Sequence, residues 1–136
     1  MITKQDLQEY YWTKRNVAKL EQRLEELFTM ATSITARLKH DADSIHAQGT
    51  TSDKVGNLVA EMELTRADMG ETLEQSYCML RRIEQAIQAL PARETYLIRA
   101  RYIEHKSWEQ IAVDMSYAWA QVHRIHASAL NILADT

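Results

Sequence analysis

From Val17 to Leu38 the apolar residues Val17, Leu20, Leu24, Leu27, Ala31, Ile34 and Leu38 step alternately by three and four, with Glu, Lys and Arg between them. That spacing is an a/d seam: a mean step of 3.5 residues keeps one apolar stripe on one side of a slightly underwound helix. A second seam runs through Val55, Leu58, Met62, Thr65 and Met69, takes one extra step of four, and continues as Leu73, Ser76, Leu80, Ile83, Ile87 and Leu90. The extra step is a stutter, which locally unwinds a supercoil and predicts a bend near Met69-Gly70. Between the seams, roughly His40 to Asp53 carries Gly49, Thr50, Thr51 and Ser52, so a turn is expected there, with Ser52 or Asp53 capping the second helix. Two arms of nearly equal length predict an all-α fold whose residues 1–90 form a long antiparallel helical hairpin.

From residue 91 onward the period stays helical but the segments shorten. Pro91 suits a first helical turn, where its missing N–H is an orphan anyway, and it biases Leu90 out of helical geometry. Leu97, Ile98, Tyr102 and Ile103 then predict a helix over Ala92 to Ile103, closed by a polar turn at His105-Lys106. Ser107 with Gln110 three residues later is a capping-box pattern, opening a helix whose buried stripe is Trp108, Ile111, Ala112 and Met115. Ser116-Tyr117 is the one break before a last helix from about Ala118 to Leu133, with Val122, Ile125, Ala129, Leu130 and Leu133 inward. Two helices joined by so tight a turn must cross at a large angle, the geometry of a helix-turn-helix whose second helix can enter a major groove.

Residues 91–136 resemble region 4 of the sigma-70 family of RNA polymerase sigma factors. The likeness rests on the entry Leu90, Pro91, Arg93 and Glu94, on the segment RARYIEHKSWEQIA, and on the closing Val122, Arg124, Ile125, Ala129 and Leu130. The whole chain is similar to small phage and prophage proteins related to ArpU-type transcriptional regulators, which have a segment like TSDKVGN (here Thr51 to Asn57) before the sigma-like part. The resemblance implies double-stranded DNA as partner, with RNA polymerase as a second. It places Trp119, Ala120, Gln121, His123 and Arg124 toward bases and Lys106 and Ser107 toward phosphate. It also implies a cytoplasmic, nucleoid-associated protein in a bacterial host.

Chemistry narrows that reading. Of the base-facing set only Arg124 is a strong bidentate donor for guanine; His123 and Gln121 are weaker, and Trp119 suits a thymine methyl or a protein surface. Ser116 stands where the family usually has Gly, and Ala118 where a Ser or Thr cap, worth ~1 kcal/mol, is usual. Five basic residues from Pro91 on (Arg93, Arg99, Arg101, Lys106, Arg124) balance five acidic ones (Glu94, Glu104, Glu109, Asp114, Asp135), although phosphate neutralisation supplies most non-specific DNA affinity. Flanking phosphate contacts are therefore sought from Lys14, Arg15 and Lys19, near Arg23, Arg81 and Arg82, whose bland reading is a solvated face paired with glutamates. Tyr10, Tyr11 and Trp12 are expected beside Ile83 and Ile87, as core packing or as a stacking platform. Two rivals stay open: an adaptor that binds polymerase or another regulator without reading DNA, and the DNA-recognition subunit of a phage packaging machine.

Composition excludes other classes. The chain has 136 residues, 46% of them hydrophobic, with three Gly, one Pro and a net charge of −3, as fits a helical protein with a real core. Cys78 stands alone, so no intramolecular disulfide or cysteine-based zinc site is possible. No apolar run approaches the ~20 residues a membrane span needs, and MITKQDLQEYYW has no signal-peptide core. His123 and His126 lack acidic or cysteine neighbours in a ligand pattern and are expected to face solvent or DNA, and His105 a turn. Without phosphate loop, nucleophile elbow or zincin helix, no enzyme, cofactor, metal or small-molecule substrate is expected. The off-seam residues Phe28, Met30, Val59, Leu64, Tyr77 and Met79 form second apolar stripes, which predict a homodimer through the hairpin, as a four-helix bundle.

Overall fold

A computed structural model describes the backbone of residues 1–40 and 48–135, and the side chains of residues 1–37 and 53–135. The described residues are helical, without a strand: α1 (Lys4–His40), α2 (Gln48–Ile87), α3 (Ala92–Ile98), a π-helical turn (Arg99–Ile103), α4 (Trp108–Met115) and α5 (Trp119–Asp135). α1 and α2, 37 and 40 residues long, make a long hairpin-like pair. The chain divides into two compact units, one of residues 1–14 and 75–136, the other of residues 15–74. The boundary expected at residue 90 falls inside the first.

In the 15–74 unit the two seams face inward as their spacing predicts. Val17 and Leu27 are buried; Leu20, Leu24, Ala31 and Ile34 on α1, and Val55, Leu58, Met62, Thr65, Met69 and Leu73 on α2, are half-buried. The side chain of Leu38 lies outside the described residues. Phe28, Met30, Val59 and Leu64 are exposed, as two-helix geometry requires, because a single partner covers one stripe only. Arg23 reaches Glu26 at 3.8 Å and Glu61 at 3.6 Å, exposed pairs that contribute little. One expectation changes here. α2 is already helical at Gln48, ahead of the cap assigned to Ser52 or Asp53, because each added residue gains a backbone hydrogen bond once a helix is nucleated. The helix is continuous through Met69-Gly70, where the stutter places the expected bend. The rest of the expected turn, residues 41–47, lies outside the described residues.

The other unit holds a dense core: Leu7 and Tyr10 of α1, Ile83 and Ile87 of α2, Leu90, then Leu97, Ile98, Ala100, Tyr102, Ile111, Val122, Ile125, Ala129 and Leu133. α5 packs against both α3 and α4. α1 opens on a capping box in which the Thr3 hydroxyl accepts from the Asp6 N–H at 3.2 Å and the Thr3 N–H donates to the Asp6 carboxylate at 2.9 Å. The Thr3 N–H and then the Thr3 hydroxyl, both donating to the carboxylate at 2.9 Å, hold the Asp6 carboxyl below its ordinary pKa. At the end of α2, the Thr95 hydroxyl donates to the Ile87 and Leu90 carbonyls at 3.3 and 3.4 Å, so α3 closes the helix that precedes it.

The helix expected over Ala92 to Ile103 changes register. After Ile98 the backbone widens, with the Glu104 N–H bonded to the Arg99 carbonyl at 2.8 Å and the Lys106 N–H to the Ala100 carbonyl at 2.9 Å. The apolar pairs Leu97/Tyr102 and Ile98/Ile103 are five residues apart, the hydrogen-bond step of an i→i−5 ladder, and in it Leu97, Ile98 and Tyr102 are buried and Ile103 half-buried. The Arg99 guanidinium forks onto the Glu84 carboxylate at 2.7 and 2.5 Å, tying the widened turn to α2. His105, at φ 61°, then redirects the chain.

Candidate functional site

α4 and α5 are built as their residues suggest. The Ser107 hydroxyl accepts from the Gln110 N–H at 3.2 Å while the Ser107 N–H donates to the Gln110 side chain at 3.1 Å. At the other end Ser116 takes the left-handed conformation, φ 58°; its N–H bonds the Val113 carbonyl and that of Tyr117 the Ala112 carbonyl, both at 3.1 Å. This is a Schellman closure with serine where glycine would be unstrained. Only Tyr117 and Ala118 then separate it from α5. Ile111 of α4 and Val122, Ile125, Ala129 and Leu133 of α5 are buried between the helices and the core.

The expected base-facing residues occupy the first two turns of α5 with different freedom. Trp119, Ala120 and Arg124 are exposed, Gln121 and His123 half-buried. Arg124 has no carboxylate partner among the described residues. His123 lies between two indoles, 3.9 Å from the Trp119 ring and 4.4 Å from the Trp108 ring, centroid to centroid, and its Nε2 is buried without a hydrogen-bond partner. Of the phosphate-facing pair, Ser107 spends its hydroxyl on the cap, and the Lys106 ammonium sits 3.1 Å from Asp114 and 3.4 Å from Glu104. The hydrogen bond to Asp114 holds that ammonium above its ordinary pKa. Lys14 is half-buried in the same compact unit as α5; Arg15 and Lys19 are exposed in the other.

The chain matches no known family, curated protein or solved structure. What its site can do therefore rests on its own geometry. No helix among the described residues is long and apolar enough to cross a membrane. No cluster of three metal-ligating side chains occurs among them either.

The expectation that His126 faces solvent or DNA is corrected. His126 is buried and shares a 2.7 Å hydrogen bond with the Tyr102 hydroxyl, its ring stacked at 5.8 Å on the tyrosine and edge-on to Trp108 at 4.9 Å. The sequence carried the signal: His126 stands four residues after Val122 and three before Ala129, on the apolar stripe itself. Desolvation first, then the charges of Lys4, His123 and Arg101, push its pKa down to about 4, so the imidazole is neutral at physiological pH. Burial likewise holds the Tyr102 phenol above its ordinary value. The aromatic trio of α1 splits in the same region: Tyr10 is in the core, Tyr11 packs on His105 at 4.6 Å with the rings tilted by 40°, and Trp12 is 58% exposed.

Proposed function

We propose that the protein is a sequence-specific DNA-binding regulator of transcription, of the phage or prophage kind its sequence resembles, with α4, the Ser116 turn and α5 acting as a helix-turn-helix of sigma region 4 type. The observation that carries this reading is the start of α5, where Arg124 is exposed and unpaired beside Trp119 and Ala120, behind a capped α4 and a tight left-handed turn. In that pose Arg124 would fork onto a guanine, Gln121 and His123 would lie at the groove edge, and the α4 start would meet the backbone. Lys14, in the same compact unit as α5, would add charge that α5 itself lacks. The exposed Phe28, Met30, Val59 and Leu64 support a dimer through the hairpin, which would bind a palindromic site. Selection of binding sites from random duplexes tests all of this together. An enriched motif is expected, affinity should fall steeply with salt, and Arg124→Ala should flatten preference at one base pair by about 1–3 kcal/mol. Equal enrichment by the wild type and by Arg124→Ala would overturn the reading.

A specific observation favours a second reading, a protein adaptor. Val113 and Trp119 are exposed at 78% and 57%, and Tyr117 is exposed between them in sequence, giving the turn of the same unit an apolar surface. An adaptor would bind RNA polymerase subunits through that surface and be indifferent to duplex DNA.

A further inference from the structure

Beside α5 lies a cavity of about 270 Å³ lined by Lys4, Gln8, Tyr11 and Trp12 of α1, Arg101 and Tyr102 of the π turn, Trp108 of α4, and His123 and His126 of α5. All of these belong to one compact unit. Its walls are aromatic, its two charged groups are both cationic, and no carboxylate lines it. Lys4 has no ion-pair or hydrogen-bond partner among the described residues. The Arg101 guanidinium lies 4.6 Å over the Trp108 ring and spends one N–H on the Lys106 carbonyl, at 3.1 Å, which leaves further donors of its fork unused. His123 contributes its ring to the wall, while its Nε2 is turned from water without a partner.

We propose that this cavity is a binding site for a small flat-ring anion: a one- or two-ring aromatic or heteroaromatic molecule carrying one carboxylate. The volume lies at the small end of ligand sites, which sets the ring count. The ring packs on the exposed Trp12 and against the edges of Tyr11 and Trp108, on whose rings His105, Arg101 and His123 already lie, and the carboxylate takes charge-assisted hydrogen bonds from Lys4 and Arg101. Burial first, and then the charges of Lys4, His123 and Arg101, keep the neighbouring His126 imidazole neutral, so it adds no charge of its own to the site. The site is independent of whether α5 reads DNA, because it is formed by the protein alone.

The test is calorimetric titration of the full-length protein, without DNA, with indole-3-carboxylate, and with indole and acetate as the ring and the anion taken singly. One-to-one saturation by indole-3-carboxylate is expected, with indole and acetate each at least about tenfold weaker, the scale of a charge-assisted hydrogen bond. Lys4→Gln and Arg101→Gln should each weaken it by about tenfold, whereas Arg124→Ala should leave it unchanged. Lys4 is an exposed residue whose replacement spares the core, so that variant reads binding rather than folding. A parallel titration with inorganic phosphate separates carboxylate from phosphate recognition. No saturation by indole-3-carboxylate, or equal affinity in wild type and Lys4→Gln, would overturn the proposal, as would phosphate binding more tightly than the ring carboxylate.

Discussion

The same a/d spacing runs through both compact units, yet it buries very different amounts of side chain in each. Among the described side chains of residues 15–74 only Val17 and Leu27 are buried, and the other described seam positions stay half-exposed. In the unit of residues 1–14 and 75–136, the seam residues Ile83 and Ile87 are buried to 1%, because α3, the π turn, α4 and α5 supply further apolar faces for one core. Periodicity fixes which face of a helix is apolar; the number of elements that cover the face fixes how much that burial stabilises. The comparison also separates functions. Every tyrosine and tryptophan lies in the unit with the dense core, and the arms carry glutamates, lysines and the uncovered Phe28 and Leu64.

The largest expected effect lies in that difference of cover. Leu97 is fully buried in the dense core, so Leu97→Ala should cost about 3 kcal/mol in chemical denaturation. Leu58, half-buried on its seam, should cost about 1 kcal/mol. Native-state hydrogen exchange should agree, with amides of the arms opening at lower free energy than those of α5. Equal costs for the two substitutions would break the comparison, and would point to a dimer that covers the arms as fully as the core.

An intermediate effect is a pH dependence confined to the dense unit. His126 has a folded pKa near 4 against an ordinary value of about 6.5 in the unfolded chain, so between those values the unfolded state binds the extra proton. Stability is therefore full above about pH 6.5, falls as the pH drops toward 4, and levels off below in this contribution, with a total loss on the order of 3 kcal/mol. His126→Gln removes the titrating group and should flatten this slope while lowering stability at pH 7 through the lost Tyr102 partner. A wild-type slope preserved in His126→Gln would assign the dependence to other groups.

These two cases mark what was legible in the sequence. The seams were, down to Ser76, which is buried where the stutter places it, and so was the capping box of Ser107 and Gln110. Each is a local rule: period, hydroxyl, three-residue spacing. The π turn was not, because Leu97, Ile98, Tyr102 and Ile103 fit two helical registers, and the choice is made by contacts such as Arg99 with Glu84, fifteen residues away in sequence. The α5 face was legible in part. Trp119 and Arg124 are exposed, off the apolar stripe that the spacing predicts, but a half-buried His123 depends on Trp108, which no spacing within α5 can specify. The cavity could not be read at all, since it draws on α1, the π turn, α4 and α5.

The smallest expected effects come from backbone choices that the two units make in opposite senses. In the dense unit Ser116 holds a left-handed φ of 58° that glycine adopts without strain, so Ser116→Gly should stabilise by about 1 kcal/mol while keeping the Schellman bonds that aim α5. In the arms Gly70 sits mid-helix, and a Cβ added there meets nothing within 4 Å. Gly70→Ala should therefore stabilise by about 0.5–1 kcal/mol, through lower entropy of the unfolded chain and better helix propensity. The readouts differ. Ser116→Gly should raise the global denaturation midpoint, since its turn belongs to the last structure to open. Gly70→Ala should chiefly slow hydrogen exchange in α2 between Val55 and Leu73, because a half-buried two-helix arm opens on its own before the core does. If Gly70→Ala instead raised the global midpoint as much as Ser116→Gly, arms and core would unfold as one cooperative unit, and the shallow seam of the arms would be as firmly held as the deep one.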